Sequence, residues 1–384
     1  MALRWLSIYA LLTYPFVCVP FLYFHFQAHG VSVAQYHDML AVYYVTMVVA
    51  EVPTGLFADR LGRKQAMAIG PCVLAAGYLC FLAGGSYGMF CLGQALLGIG
   101  HALISGPPSA LLYDTLHTAG RGEEFLHLEG RLQALRLLGT AGAFLLGGVL
   151  SQLAGISAAI WATAALHGLG VLAALRLVEP PRPHALRTRE LWRTAQRDLL
   201  QPSLLWLCGY FALLFFLLRY CFHTYQPFLD AARAREPLFV GALYAALNLL
   251  AAPCSRLAAP CLRRFGAPVV YAAMPLLLAV SLLGMAAFVD RWAILGIALQ
   301  QVPFGMHWSI VQAFANRRLQ PAARTTALSA ISFCARIGFA ALFPCIGRVH
   351  EAHGIASAYV LVALAGTGLA LVTVAGGRHW LRAG

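Results

Sequence analysis

Charge is what this chain of 384 residues has least of: 11% of it is Asp, Glu, Lys or Arg, against roughly 25% in a soluble domain. Acidic residues are the scarcer kind, 14 against 27 basic ones, for a formal net charge of +13. The ten cysteines form no CxxC pair and no zinc-ligand spacing. They are scattered, mostly inside apolar blocks (Cys18, Cys72, Cys80, Cys91, Cys208, Cys334), and read as small hydrophobes. No Walker-type loop is present, so an ion gradient, most simply of protons, is the expected energy source and no cofactor is implied. Despite the positive charge there is no aromatic-interleaved basic patch of the kind that tracks a phosphate backbone, which excludes a nucleic-acid partner. Nor is there a set of paired His and Asp ligands or an activated nucleophile, which argues against a membrane enzyme. The one compact ligand-like group, His350, Glu351 and His353, is expected in a short surface loop without a third placed ligand, so no metal site is assigned.

What the chain does have is apolar residues, 60% of the total, gathered in blocks of about twenty, the length that crosses a hydrocarbon core of roughly 30 Å. Blocks at 4–26, 35–57, 65–84, 88–115, 129–151, 155–178, 203–228, 238–259, 267–289, 292–314, 325–346 and 355–376 predict an all-α membrane protein with twelve transmembrane helices. The first block runs through Phe26 without a small-residue cleavage site and is read as a retained span. Pro15, Pro20, Pro227, Pro303 and Pro344 mark expected kinks, since membrane helices tolerate proline. Twenty of the basic residues fall at the termini or in the loops after even-numbered spans, and four (Arg233, Arg235, Arg291, Arg348) in the opposite loops. The positive-inside rule therefore puts both termini in the cytoplasm, and the expected location is the inner membrane of the cell.

The longest polar segment, 179–202, separates two six-helix halves, 1–178 and 203–384. Its Leu191, Trp192 and Leu199 alternate with Arg187, Arg189, Arg193 and Arg197, a pattern open to either an amphipathic surface helix or a plain tether. The halves repeat at an offset of 200: Pro53 with Pro253, Arg63 and Lys64 with Arg263 and Arg264, Arg136 with Arg336. Such internal symmetry is a mark of secondary transporters.

The most specific stretch is Gly55-Leu-Phe-Ala-Asp59-Arg60-Leu-Gly62-Arg63-Lys64, between spans two and three. It resembles the signature loop of the major facilitator superfamily, GxxxD(R/K)xGR(R/K), with every defined position filled. The resemblance covers essentially the whole chain, and implies two pseudo-symmetric six-helix halves rocking about a central site. It also implies that Asp59, set among Arg60, Arg63 and Lys64, latches the inside closed against the start of the eleventh helix, near Thr325. The two glycines are expected to let the backbone turn and pack closely. In the second half Ala259, Pro260 and Leu262 stand where Asp59, Arg60 and Gly62 stand in the first, so a single latch is expected. Two further family elements are incomplete: Gln94, Gly98 and Gly100 stand in the fourth span without the arginine. The glycines of the fifth (Gly139, Gly142, Gly147, Gly148) lack the proline and spacing of antiporters and read as close-contact positions.

A charge at membrane depth costs roughly 2.5 to 3.5 kcal/mol on insertion scales, so it faces a partner or a cavity. Glu51, Asp114, Arg136, Arg219 and Arg336 lie at such depths. Glu51 and Arg336 sit at similar depth on helices that meet in the resembled fold, and are expected to pair as a gate or as a static contact, leaving Arg136 for substrate. Asp114 is expected to join Arg60 or Arg63. Arg219 with His223, and His307 with Gln300 and Gln301, occupy helices that line the cavity in that family. Three arginines against two carboxylates make the cavity cationic, and Tyr43, Tyr44, Tyr210, Tyr220 and Tyr225 offer aromatic walls. The reading is a monomeric, proton-coupled exporter of a small organic, anionic or siderophore-like metabolite, as the resemblance to bacterial exporters implies. Multidrug efflux and import of organic anions are the alternatives.

Overall fold

The computed structural model describes residues 2–14, 16–180, 200–290, 292–319 and 324–382, so the alternating segment around Trp192 lies outside the described residues. With no water to satisfy N–H and C=O groups in hydrocarbon, an apolar chain is driven into helices. The elements are α1 (Ala2–Thr13), α2 (Leu22–Ala28), α3 (Val33–Leu61), α4 (Arg63–Leu82), α5 (Tyr87–Ser105), α6 (Pro107–Thr118), α7 (Phe125–Ala154) and α8 (Ile156–Leu175). Then come α9 (Pro202–Ala231), α10 (Pro237–Cys254), α11 (Ala258–Phe265), α12 (Ala267–Ala287), α13 (Ile294–Asn316), α14 (Arg324–Gly376) and α15 (Arg378–Arg382).

Among the described residues ten helices are long and apolar enough to cross a membrane. One of them is two spans: α14 is interrupted at Gly354, whose φ of 80° and ψ of 167° are not helical. His350, Glu351 and His353, expected in a loop, are therefore on the last turn before that break. The first span is not one helix either. It is α1, a 3₁₀ turn at Val19–Phe21 that carries Pro20 in its first turn, and α2. A proline has no N–H to continue the ladder, and where the chain leaves the helix Cys18 N–H donates to Thr163 Oγ1 on α8 at 3.1 Å. Pro227, Pro303 and Pro344 instead sit within continuous helices.

The chain folds into two compact units, Met1–Pro183 with Arg235–Leu249, and His184–Ala234 with Leu250–Gly384. The early part of α10 clusters with the first unit because two glycines let it lie against α7: a Cβ on Gly241 would be 2.6 Å from the Phe144 carbonyl oxygen, and one on Gly148 2.9 Å from that of Pro237. Asn248 Nδ2 donates to the Leu137 carbonyl at 2.9 Å, which removes the cost of an amide in lipid.

The first unit is held by the same small-residue logic. A Cβ on Gly77 of α4 would stand 2.9 Å from the Gly93 carbonyl oxygen of α5, and one on Gly98 2.6 Å from the Tyr43 carbonyl oxygen of α3. Gly142 of α7 faces nothing within 4 Å. Gly98→Ala is therefore expected to destabilise the purified protein by about 1–3 kcal/mol through overpacking, while Gly142→Ala leaves thermal unfolding unchanged or slightly raised. Equal melting of the two variants would contradict this packing.

Candidate functional site

The signature loop is a sharp junction. Gly62 ends α3 and begins α4 with φ of 130°, a left-handed value that disfavours any residue with a Cβ. At the start of α4 the first N–H groups have no partner within the helix. Glu179, just past α8, supplies one: its Oε1 accepts from Arg63 N–H at 3.0 Å and its Oε2 from Lys64 N–H at 3.2 Å. An anion there is also favoured by the helix dipole. The Arg63 side chain reaches the other way, donating from Nη1 to the Ala110 carbonyl at 2.7 Å and forming a part-buried ion pair with Asp114 Oδ2 on α6. One residue thus ties α4 to α6 through its side chain and to the segment after α8 through its backbone.

Of the remaining loop residues, Arg60 is exposed and the side chain of Asp59 lies outside the described ones. Gly55, expected to allow close packing, faces open space: nothing lies within 4 Å of where its Cβ would be. The helix expected to start near Thr325 starts at Arg324.

Arg136 was expected to be left for substrate, but it has partners. Its Nη1 lies 3.6 Å from Glu129 Oε1 and 3.0 Å from Gln133 Oε1, and its guanidinium stands 4.4 Å over the Tyr14 ring. Glu129 precedes Arg136 by seven residues, two turns along the same face of α7. The cluster is only part satisfied, since Arg136 Nε and Glu129 Oε2 are buried without a hydrogen bond.

The second unit holds Arg219, His223, Gln300, Gln301 and His307. Arg219 on α9 has Phe215 below its guanidinium at 5.3 Å, and none of the ion pairs among the described residues includes it. His307 Nδ1 is 2.7 Å from the Phe304 carbonyl; a carbonyl only accepts, so Nδ1 carries the proton and Nε2 the lone pair. His223 packs against the stacked pair Phe339 and Phe343, each ring centroid 5.9 Å away. The glutamines belong to the packed bundle: Gln300 Nε2 donates to Ser281 Oγ at 2.7 Å, and Gln301 Nε2 to Tyr225 Oη at 3.1 Å. Both are buried, and Gln300 Oε1 has no partner. Glu51 is half-buried on α3 of the first unit, and Arg336 half-buried on α14 of the second.

Sequence reasoning missed Glu129, Glu179 and two histidines. His101 of α5 and His167 of α8 both pack on Phe16, at 5.5 and 6.4 Å between centroids, with Tyr43 beside the first and Tyr78 beside the second. Both Nδ1 atoms donate to carbonyls of their own helices, and His167 Nε2 is fully buried without a partner. Glu179 carried a signal, as the one carboxylate between Glu129 and Glu190. The histidines carried none beyond being single polar residues in apolar runs.

Membrane-length helices in two units, with charges paired inside them and a charged clamp at a helix junction, define a polytopic solute carrier. The family model described as Major Facilitator Superfamily matches residues 6–343. The chain belongs to that superfamily and is a secondary transporter, not an enzyme. Over 163 residues, 41% of the chain, it is 29% identical to the inner membrane transport protein YajR of Escherichia coli (strain K12), and spans about a third of that relative's length, 33%. Among solved structures it is similar to the nucleoside transporter NupG, with a TM-score of 0.78 at 16% identity over 99% of each chain. It is also similar to the human organic anion transporter MFSD10 (0.65, 16%, 97% of each chain). A D-xylose-proton symporter gives 0.72 at 13% over 97% of this chain and 96% of that one. At these identities the solved structures share the fold alone.

The clamp makes a prediction that needs no knowledge of the solute. Asp114→Asn and Arg63→Gln each are expected to speed amide exchange at the start of α4 by about 10-fold, as a part-buried pair loses one member. The double variant is expected to be no worse than either alone. Additive effects would show that the two side chains do not act together.

Proposed function

We propose that the protein works as a monomer in the inner membrane, exporting a small organic anion, metabolite- or siderophore-like, by proton-coupled alternating access. The observation that carries the anion is Arg219: a guanidinium at membrane depth, near His307 and over the Phe215 ring, with no carboxylate paired to it among the described residues. Its insertion cost has to be met by something it binds, and an anionic solute is the complementary group. Gln300 Oε1, His223 and His307 add acceptors and donors for the neutral part of the solute. Arg136 contributes less charge because Glu129 lies beside it.

Access is gated from the side that the basic loops mark as cytoplasmic. Asp59 with Arg60 and Lys64 completes the latch that the Arg63 clamp holds in shape, and Glu51 pairs with Arg336 in the closed state. Protons enter through Asp114, Glu51, His223 or His307, to which His101, part-buried, and His167, buried with its Nε2 unpartnered, are added. Efflux of lipophilic cations fits less well, since Asp114 and Glu129 are both engaged by arginines.

In proteoliposomes with an imposed pH gradient, Arg219→Gln is expected to lower anion transport by about 10- to 100-fold, the loss of one charge-assisted contact, with Arg219→Lys intermediate. Metabolite profiling sets the direction: cells lacking the protein, or carrying Asp59→Asn, should retain an organic anion that wild-type cells release. Depletion of that anion from the deficient cells would mean import, and unchanged distributions in all strains would sink the reading.

A further inference from the structure

Residues four apart on a helix are neighbours on its surface, and along the middle of α9 that spacing gives the stripe Phe211, Phe215, Arg219 and His223. Two rings lead up to the guanidinium. Phe211 and Phe215 are 5.9 Å apart between centroids, and Arg219 stands 5.3 Å over the Phe215 ring. Helix α13 meets the stripe with two adjacent residues: the Trp308 ring is 6.0 Å from Phe211, and His307 lies near enough to Arg219 to feel its charge. From α14, Phe339 stands edge-on to Phe215 at 6.3 Å.

Two of these groups have chemistry that the fold does not use. The face of Phe215 offsets part of the cost of a guanidinium in hydrocarbon, but the N–H edge of Arg219 makes no hydrogen bond to any described residue. Trp308 is 38% exposed. A tryptophan near the end of a membrane helix is an interfacial anchor; Trp308 is 14 residues from Ile294 at the start of α13 and 8 from Asn316 at its end, so that role does not account for it. Its contact with Phe211 puts it on the side of α13 that faces α9.

A solute that meets both groups has an anion for the guanidinium edge and a flat apolar body for the indole. A sugar-like or peptide-like body would set hydroxyl or amide donors against Phe211, Phe215 and Trp308, none of which can accept them. An aromatic body gains the tilted or edge-on geometry that these rings already adopt with one another. His307 Nε2, an acceptor because Nδ1 carries the proton, suits a hydroxyl on such a ring. We propose that the solute bound at Arg219 is an aromatic carboxylate, its carboxylate on the guanidinium edge and its ring against Trp308. This rests on the reading of Arg219 as the solute contact, and it adds Trp308 as the residue that selects the body of the solute.

The test titrates the purified full chain in lipid nanodiscs with benzoate and with cyclohexanecarboxylate, which carry the same charge and differ in aromaticity, and reads saturable thermal stabilisation by each. Benzoate is expected to bind about 5-fold more tightly. Trp308→Leu is expected to abolish that preference while cyclohexanecarboxylate still binds, and Trp308→Phe to restore most of it. Arg219→Gln should weaken both acids by about 10-fold. Trp161→Leu, at an exposed position of the first unit, should change neither. Equal binding of the two acids, or a preference that survives Trp308→Leu, would overturn the aromatic assignment and leave Arg219 as the anion contact so long as Arg219→Gln still weakens both. If neither acid binds, or Arg219→Gln changes nothing, the Arg219 reading fails and the aromatic assignment fails with it.

Discussion

Hydrogen-bonding groups and charges are costly to leave alone in hydrocarbon, and most of what is distinctive in this protein follows from that constraint. It makes the described segments largely helical. Where the first span breaks, Thr163 takes the Cys18 N–H. Asn248 gives its amide to a carbonyl, and Arg136 has Glu129 and the Tyr14 ring. Against that background Arg219 stands out, because among the described residues nothing negative answers it. That is why Arg219 is proposed as the contact for the solute.

The same accounting distinguishes the two units at their basic rims. The first carries its own anions: Glu179 on the N–H groups that open α4, and Asp114 on the Arg63 guanidinium. The second unit has Arg263, Arg317 and Arg318 around one cavity.

What could be read from the sequence was what depends on local pattern. Block length predicted the spans, and a contiguous loop of glycines, one acid and three cations was recognisable without any knowledge of its neighbours. Asp114 was matched to Arg63 or Arg60 because each was a rare charge at a helix end. Partners far away in sequence were not legible: Glu179 meets Arg63 across 116 residues, and nothing in either segment points to the other. Glu129 was taken as the edge of a span although it shares a helix face with Arg136. Gly55 was expected to pack closely because its family position is a glycine, whereas its own surroundings are open. The His350 segment was read as a loop because it is polar; it stays helical until Gly354, since only a residue tolerant of positive φ ends the helix there.

We propose that the clamp around Arg63 holds the cytoplasmic latch in shape and so biases the carrier between its states. The most direct test is a distance distribution between two spin labels, one at Thr118 at the end of α6 and one at Phe265 at the end of α11, in lipid nanodiscs. The account predicts two populations whose ratio shifts several-fold toward the longer distance in Arg63→Gln. A single population, the same with and without that substitution, would contradict it.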